Sequence, residues 1–365
     1  MWHVLPQTRE EDPTVDLPVT PPVVPMLAVL ARELPVGDHV YEPKWDGFRC
    51  IAFVDGDEVD LRSRHDRPLG RYFPEVVAAL RGLRARLVID GELIVLGAQG
   101  FDFPGLMARL HPTPSRVERL AVETPATFIG FDLLAAGDTD LTGQAFVDRR
   151  VELERALSAA GARVLVTPAT DDVATARGWL AEYQGGGIDG VVVKRRDLRY
   201  APGKRAMIKV KLERTAECVV AGMRLRLDEL AVASLLLGLY DAAGALLHVG
   251  VASSFTAARR AQLFEELRPH ACALDEHPWA HGFALEGGPM GRLRGAAGKW
   301  TPAMPLDWVP LRPEVVGEFG YDQVDGHRFR HPARFLRWRP DRDPSSCRLD
   351  QLEVTGPPPQ RALAP

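Results

Sequence analysis

Tyr41-Glu42-Pro43-Lys44-Trp45-Asp46-Gly47-Phe48-Arg49 is the stretch around which the chain is organised. It sets one lysine beside an aspartate and a glycine, with an arginine five residues on. A lysine is a nucleophile only in its uncharged form, which burial or neighbouring cations favour. Gly47 permits a backbone conformation, or a close approach to a ligand, that a side chain would block. Taken alone, Asp46-Gly47 preceded by charge reads first as an ordinary hairpin turn.

Lysine usage strengthens the chemical reading. Among 45 basic residues six are lysines: Lys44, Lys194, Lys204, Lys209, Lys211 and Lys299. Arginine keeps its proton, whereas lysine can lose it and acts as a compact charge for phosphate. Lysines that persist in an arginine-rich chain are therefore candidates for amine chemistry, with compositional chance as the plain alternative.

Lys44-Trp45-Asp46-Gly47-Phe48-Arg49 resembles the KxDGxR signature of the covalent nucleotidyltransferases, which comprise DNA ligases, RNA ligases and mRNA capping enzymes. The order of later segments is similar to the short two-domain ATP-dependent DNA ligases of bacteria, the LigC type, over roughly residues 16–350. The fold this resemblance implies is α+β. A nucleotidyltransferase (ATP-grasp-like ligase adenylation) domain would be followed by a β-rich OB-fold domain.

Composition sets the limits. A chain of 365 residues suffices for two domains. Hydrophobic content of 46% with 26% charged residues describes a globular protein, and no apolar run reaches membrane-spanning length. Pro6, Pro13 and Glu10-Glu11-Asp12 interrupt any signal-peptide pattern. Cys50, Cys218, Cys272 and Cys347 are scattered without a CxxC pair, which argues against a zinc site and fits a reducing cytoplasm. With a net charge of −4, nucleic-acid binding would need local arginine patches.

Along the chain, residues 1–25 read as an extended proline-rich leader, the first fifteen of them mobile. Strands are expected at residues 39–42, 49–54 and 58–61, leaving Lys44 in a loop between two of them. A helix is expected over 74–83, a buried hairpin over 87–96, a strand over 126–134, and helices over 145–160 and 175–183. The glycine run at 185–187 would end the last of these. Strands at 188–194 and 207–211 follow, joined by a basic loop. The pattern then changes to shorter strands near 218–221, 234–240, 246–252, 308 and 315–321, with one helix over 257–267, which suits an OB-type barrel. The expected domains are an adenylation domain over 26–212 and an OB-fold domain over 213–350, with a disordered tail over 351–365.

The resemblance also implies roles. Lys44 would attack the α-phosphate of ATP, giving lysyl-AMP and pyrophosphate. The AMP would then pass to the 5′-phosphate of a DNA nick, and the 3′-hydroxyl would displace it. The backbone of Glu42 would touch adenine, Phe131 would stack on it, and Arg49 would hold the ribose. Arg64 resembles the arginine that meets the nick 5′-phosphate. Glu92 would bind the ribose hydroxyl or the metal, and a lone carboxylate in an apolar strand needs a partner in any case. Asp189, in Asp189-Gly190-Val191-Val192-Val193-Lys194, stands where the family has a metal-binding glutamate, one methylene longer. Lys194, Arg205, Lys209 and Lys211 would serve the nucleotide phosphates. Lys209 and Lys211, two apart on a strand, share a face. Arg339 and Asp341 match the final motif, usually RxDK, which orients pyrophosphate; Arg342 stands at its lysine.

The cofactors implied are ATP and Mg²⁺ or Mn²⁺. The partner implied is nicked double-stranded DNA, with repair proteins as possible companions and no membrane, for a monomer in the cytoplasm. Without the resemblance, Phe131 reads as a core residue, Arg64 as a surface arginine, and Lys209 with Lys211 as a solvated edge. The rival functions are an RNA ligase, a capping guanylyltransferase, and an OB-fold nucleic-acid binder with an inactive transferase domain. Lysines intact at every motif position argue against the last.

Overall fold

Asp46-Gly47 is a crossing between two sheets and not the tip of a hairpin. The computed structural model describes residues 15–97, 100–110, 113–182, 188–211, 214–226, 229–280 and 308–353. The glycine run at 185–187, the first fourteen residues and the tail beyond 353 lie outside them. The chain forms two units that part after residue 212.

The first unit begins with β1 (Leu27–Ala31), β2 (His39–Trp45), β3 (Phe48–Asp55), β4 (Glu58–Ser63), α1 (Pro74–Arg81) and β5 (Arg86–Gly97). It continues with α2 (Phe103–Ala108), α3 (Pro114–Glu123), β6 (Ala126–Ala136), α4 (Phe146–Ala156), β7 (Val164–Val166), α5 (Val173–Glu182), β8 (Ile188–Arg195) and β9 (Arg205–Val210). One sheet has the order β1-β9-β8-β2 and the other contains β4-β3-β5-β6, with β7 parallel to β6.

The central strands of the second sheet are buried on both faces, so they read as continuous apolar runs. On β3 and β5, Cys50, Ala52, Val54, Ile89, Leu93 and Val95 pack with Val76 and Leu80 of α1. The opposite face carries Ile51, Phe53 and Val88 against Met26, Tyr200 and Met207, on and around the first sheet. Asp90 and Glu92 share the face of Val88 by strand alternation. Helix α1 has proline in its first turn and buries Val76 and Leu80, four residues apart.

Three expectations are corrected. Lys44 is inside β2 and not in a loop, because β2 pairs with the distant β8 from His39 as far as Trp45. The hairpin expected over 87–96 is one continuous strand. Gly91 lies in it without turning, and a Cβ there would come within 2.4 Å of the Phe128 ring. Residues 15–25, expected to be part of an extended leader, are packed: Leu17 is buried, and Asp16 N donates to Asp55 Oδ2 at 2.8 Å. Strand β1 and helix α2 are too short to show a period in the sequence, whereas α3, missing from the expected elements, opens on Pro114 and buries Val117 and Leu120 on one face.

The second unit contains β10 (Arg214–Leu225), β11 (Val232–Tyr240), β12 (Leu246–Ala252), α6 (Ala257–Leu267), β13 (Val316–Tyr321) and β14 (Arg334–Trp338). Their order is β12-β11-β10-β13-β14. Ala333 N donates to Val251 O at 2.7 Å, which joins the approach to β14 to β12 and closes a five-stranded barrel of OB type. Thr256 caps α6 by accepting from Arg259 N, and Leu263 and Leu267 face the barrel core. No helix among the described residues is long and apolar enough to cross a membrane.

Candidate active site

Strand β2 presents Glu42 and Lys44 on one face and Pro43 and Trp45 on the other. Lys44 Nζ donates to Asp189 Oδ2 at 2.7 Å, and Lys211 Nζ reaches the same oxygen at 2.7 Å. Asp189 is aimed there by a bulge in β8, where the pairing with β2 slips between Ile188 and Val191. Gly190 makes the bulge possible: its φ is +142°, and a Cβ would lie 2.2 Å from Val210 O.

Burial pulls Lys44 toward its free amine, but Asp189, helped by Glu92 and Asp46, outweighs it and raises the pKa. The lysine is thus held as an ammonium, the reverse of the sequence expectation. Burial would likewise raise the Asp189 carboxyl, yet Lys44 and Lys211 hold it below the ordinary value.

Gly47 is needed for close packing, since a Cβ there would meet Leu93 O at 2.1 Å. Its N–H donates to Glu92 Oε1 at 3.1 Å. Glu92 is opposite Arg49 across β3 and β5. Burial nevertheless pushes its carboxyl up to about 7, against the pull of Arg49 and Lys44. Arg49 spends its hydrogen bonds on Asp90, at 2.5 and 2.6 Å, and Tyr200 Oη donates to the same carboxylate at 2.7 Å. The Arg49 guanidinium lies 4.4 Å from the centre of the Phe131 ring. Phe131 is therefore a cavity wall and not a core residue.

Glu42 is buried, and its carboxylate is saturated: Arg150 Nη1 donates to Oε1 at 3.0 Å and Lys194 Nζ sits 2.8 Å from Oε2. Lys194 also donates to Phe131 O at 2.8 Å and is 1% exposed. The adjacent Asp132 is held by both arms of Arg149 at 2.7 and 2.9 Å. Arg149 and Arg150 of α4 are thus turned inward, while Arg155 stays exposed.

One cavity of about 250 Å³ gathers Glu42, Lys44, Arg49, Arg64, Glu92, Phe131, Lys194, Arg205 and Lys209. Met26, Leu27, Val192 and Met207 supply apolar wall. Arg64 and Arg205 are exposed at it. Asp189 and Lys211 adjoin through Lys44. Strand β9 lies between β1 and β8, so Lys209 is on an interior strand and not a solvated edge. Asp90, Tyr200 and Arg150 were not singled out by sequence, although an aspartate two residues before Glu92 in an apolar run was a usable signal.

Arg339 and Asp341 lie in the second unit, following β14. Arg339 is paired with Asp341 at 2.8 Å and with Glu217 of β10. Arg342 reaches the other Glu217 oxygen at 2.7 Å. The hydrogen bond from Arg339 lowers the Asp341 carboxyl to about 2.

Both units resemble known proteins. Residues 25–211 match the family described as ATP dependent DNA ligase domain, and residues 229–342 match the ATP dependent DNA ligase C terminal region. The chain is 52% identical over 342 residues to DNA ligase C2 of Mycolicibacterium smegmatis, covering 93% of this chain and 96% of that one. It is 50% identical over 345 residues to DNA ligase C of Mycobacterium tuberculosis, with the same coverage. A solved structure from a study of Lig E DNA ligases shares the fold, with a TM-score of 0.52 and 20% identity over 87% of this chain and 100% of that one. With both its units matched in this way, the chain belongs to the ATP-dependent DNA ligases.

Proposed function

We propose that the chain seals nicks in duplex DNA through a lysyl-AMP on Lys44 and a DNA-adenylate. The observation that carries this is a cavity in which Lys44 meets an aromatic wall, five other cations and two carboxylates, Glu42 buried and Glu92 half-buried. Nucleotidyl transfer asks the protein mainly to position groups and neutralise charge. Phe131 offers the base a ring, and the backbone of Glu42 offers it an edge. Arg49 stands at the ribose, Arg205, Lys209 and Lys211 serve the phosphates, and Arg64 meets the nick 5′-phosphate, while Lys194 braces the nucleotide site through Glu42 and the carbonyl of Phe131. Lys44 attacks only as the amine, so its ion pair with Asp189 opens and Asp189 stays with Lys211. The Lys44 ammonium gives its proton to solvent before its nitrogen bonds the α-phosphorus and pyrophosphate leaves. Arg339 and Asp341 orient pyrophosphate in the first step.

Glu92 and Asp189 would hold the divalent cation, Mg²⁺ or Mn²⁺. The donors fit: both offer oxygens, which hard cations prefer, and the raised Glu92 carboxyl marks an anion whose charge the cavity under-compensates. Among the described residues no group of three or more acidic, histidine or cysteine side chains surrounds one point, so nucleotide phosphates and water would complete the shell. When bound, the cation neutralises phosphate charge.

In this reading the adenylation domain spans 26–212, with residues 15–25 packed against it, and the OB-fold domain spans 213–350, with Leu352 just beyond it buried as well. The protein works as a monomer in DNA repair in the cytoplasm, where its four free thiols suit a reducing environment. The test is incubation with labelled ATP and labelled GTP in turn, with Mg²⁺ or Mn²⁺, followed by acid. Label retained from ATP alone, and discharged on nicked DNA as sealed product, is expected. Retention from GTP instead would make the protein a guanylyltransferase.

A further inference from the structure

We infer that Arg150 of α4 is a positioning residue for the Lys44 nucleophile, acting on both of its flanks at once. This rests on the reading of Lys44 given above.

Arg150 divides its guanidinium among three acceptors. Nη1 donates to Glu42 Oε1 at 3.0 Å, Nη2 donates to Thr167 O, and Nε donates to Glu154 Oε1 at 2.6 Å. The first two converge on β2. Glu42 precedes Lys44 by two residues and shares its face. Thr167 Oγ1 accepts from Trp45 Nε1 at 2.8 Å, and Trp45 follows Lys44 on the opposite face. One planar group therefore fixes the strand directly at residue 42 and, through Thr167, at residue 45. Thr167 is itself anchored, its N–H donating to Gly130 O at 2.9 Å beside Phe131.

Position matters here because β2 is the last strand of its sheet. It pairs with β8 on one edge, and on the other Tyr41 exchanges backbone hydrogen bonds with Thr170 at 2.8 and 3.0 Å, three residues short of Lys44. The β8 pairing slips between Ile188 and Val191, next to Lys44. Pro43 contributes no N–H to the ladder. The ladder is thus weakest where the nucleophile stands, and the side-chain bracket supplies what it lacks. Glu154 lies on the solvent side of α4 and steadies the guanidinium plane. Lysine at 150 can serve one acceptor as a point charge, but it lacks the fork that reaches two.

The experiment measures single-turnover labelling of the full chain by ATP, and separately the sealing of a nick that already carries 5′-AMP. Arg150→Met should lower the labelling rate at saturating ATP by about 10- to 100-fold, the scale of a misplacement near 1 Å, with the KM for ATP within about three-fold. Sealing of the pre-adenylated nick should stay within about three-fold, because no attack by Lys44 is needed there. Arg150→Lys should recover part of the labelling rate by keeping the Glu42 contact.

A lower melting temperature with fewer labelled molecules, each at the normal rate, would show a structural role only and overturn the inference. Equal losses in both assays, or no loss in either, would overturn it too. Lys44→Arg is measured alongside: if it takes label, the nucleophile is elsewhere and both readings fall. An unlabelled Lys44→Arg with full-rate Arg150→Met removes the positioning role alone.

Discussion

Asp189 and Glu42 each hold two cations in the first unit, and they do so in opposite ways. Asp189 offers one oxygen to both Lys44 and Lys211, whose side chains are 24% and 21% exposed. Glu42 gives one oxygen to each of Arg150 and Lys194, and Lys194 is 1% exposed. Two cations crowded on one oxygen, within reach of water, can be redistributed when a phosphate or a metal arrives. A pair saturated oxygen by oxygen in the dry interior cannot be opened without stranding a charge. The same count of salt bridges thus marks a reactive place in one case and a structural one in the other. Glu217 in the second unit is intermediate: it has separate oxygens for Arg339 and Arg342, which are 19% and 40% exposed.

The comparison breaks most sharply at Lys44. Lys44→Arg keeps a cation against Asp189 but cannot supply a free amine, so covalent labelling from ATP should fall to background. Acid-stable label on the variant would place the nucleophile elsewhere.

Asp189→Ala should lower sealing by about 10²-fold, while Asp189→Glu keeps much of it. Thermal unfolding of Asp189→Ala should move little, since both lysines can turn to solvent. Asp132→Asn is the counterpart in the saturated cluster. It leaves Arg149 buried with half its pairing and should cost about 3–5 kcal/mol, with a much smaller change in sealing per folded molecule. If the two variants exchanged these signatures, the distinction between reactive and structural carboxylates would be wrong.

Arg339→Ala asks whether the second unit has a step-specific cation. Pyrophosphate gains charge as it leaves, and a pre-adenylated nick has none to expel. Labelling with ATP should drop by about 10- to 100-fold while sealing of the pre-adenylated nick stays near normal. Equal losses in both assays would make Arg339 a contact to the DNA backbone.

The remaining comparison concerns Glu92. Its folded carboxyl titrates near 7, above the ordinary 4.5, so the folded state binds more protons between those values. Folding stability therefore declines as pH rises through that window, by up to about 3 kcal/mol, and the cost is complete above it. Activity should move the other way, because cation binding needs the carboxylate. Comparing the melting temperature at pH 5 and pH 8 checks this, and Glu92→Gln should remove the corresponding part of the slope. An unchanged slope would mean that Glu92 is ionised throughout.

Local regularities were legible because they repeat within one element. The alternation and apolar runs of the strands report burial, and α6 spans the residues 257–267 expected for it. The hairpin expected at 87–96 failed because a glycine in an apolar run signals a turn and a tight contact equally well. Gly91 is there for Phe128, a residue in another strand.

By itself, the amino-acid sequence determined the chemistry on offer: a lysine in a nucleotidyltransferase motif, arginines and lysines for phosphate, and an aspartate where the family has a glutamate. It also determined the order of elements that builds two units. Only the tertiary structure decided which charges are free to react. Lys44 and its partner Asp189 are 145 residues apart, and Arg150 and Glu42 are 108 apart. Periodicity shows that a residue is buried or exposed, but the protonation of a lysine depends on what stands within a few ångströms of it. That neighbourhood is assembled from strands β2, β8 and β9 and helix α4, so it exists only once the chain has folded.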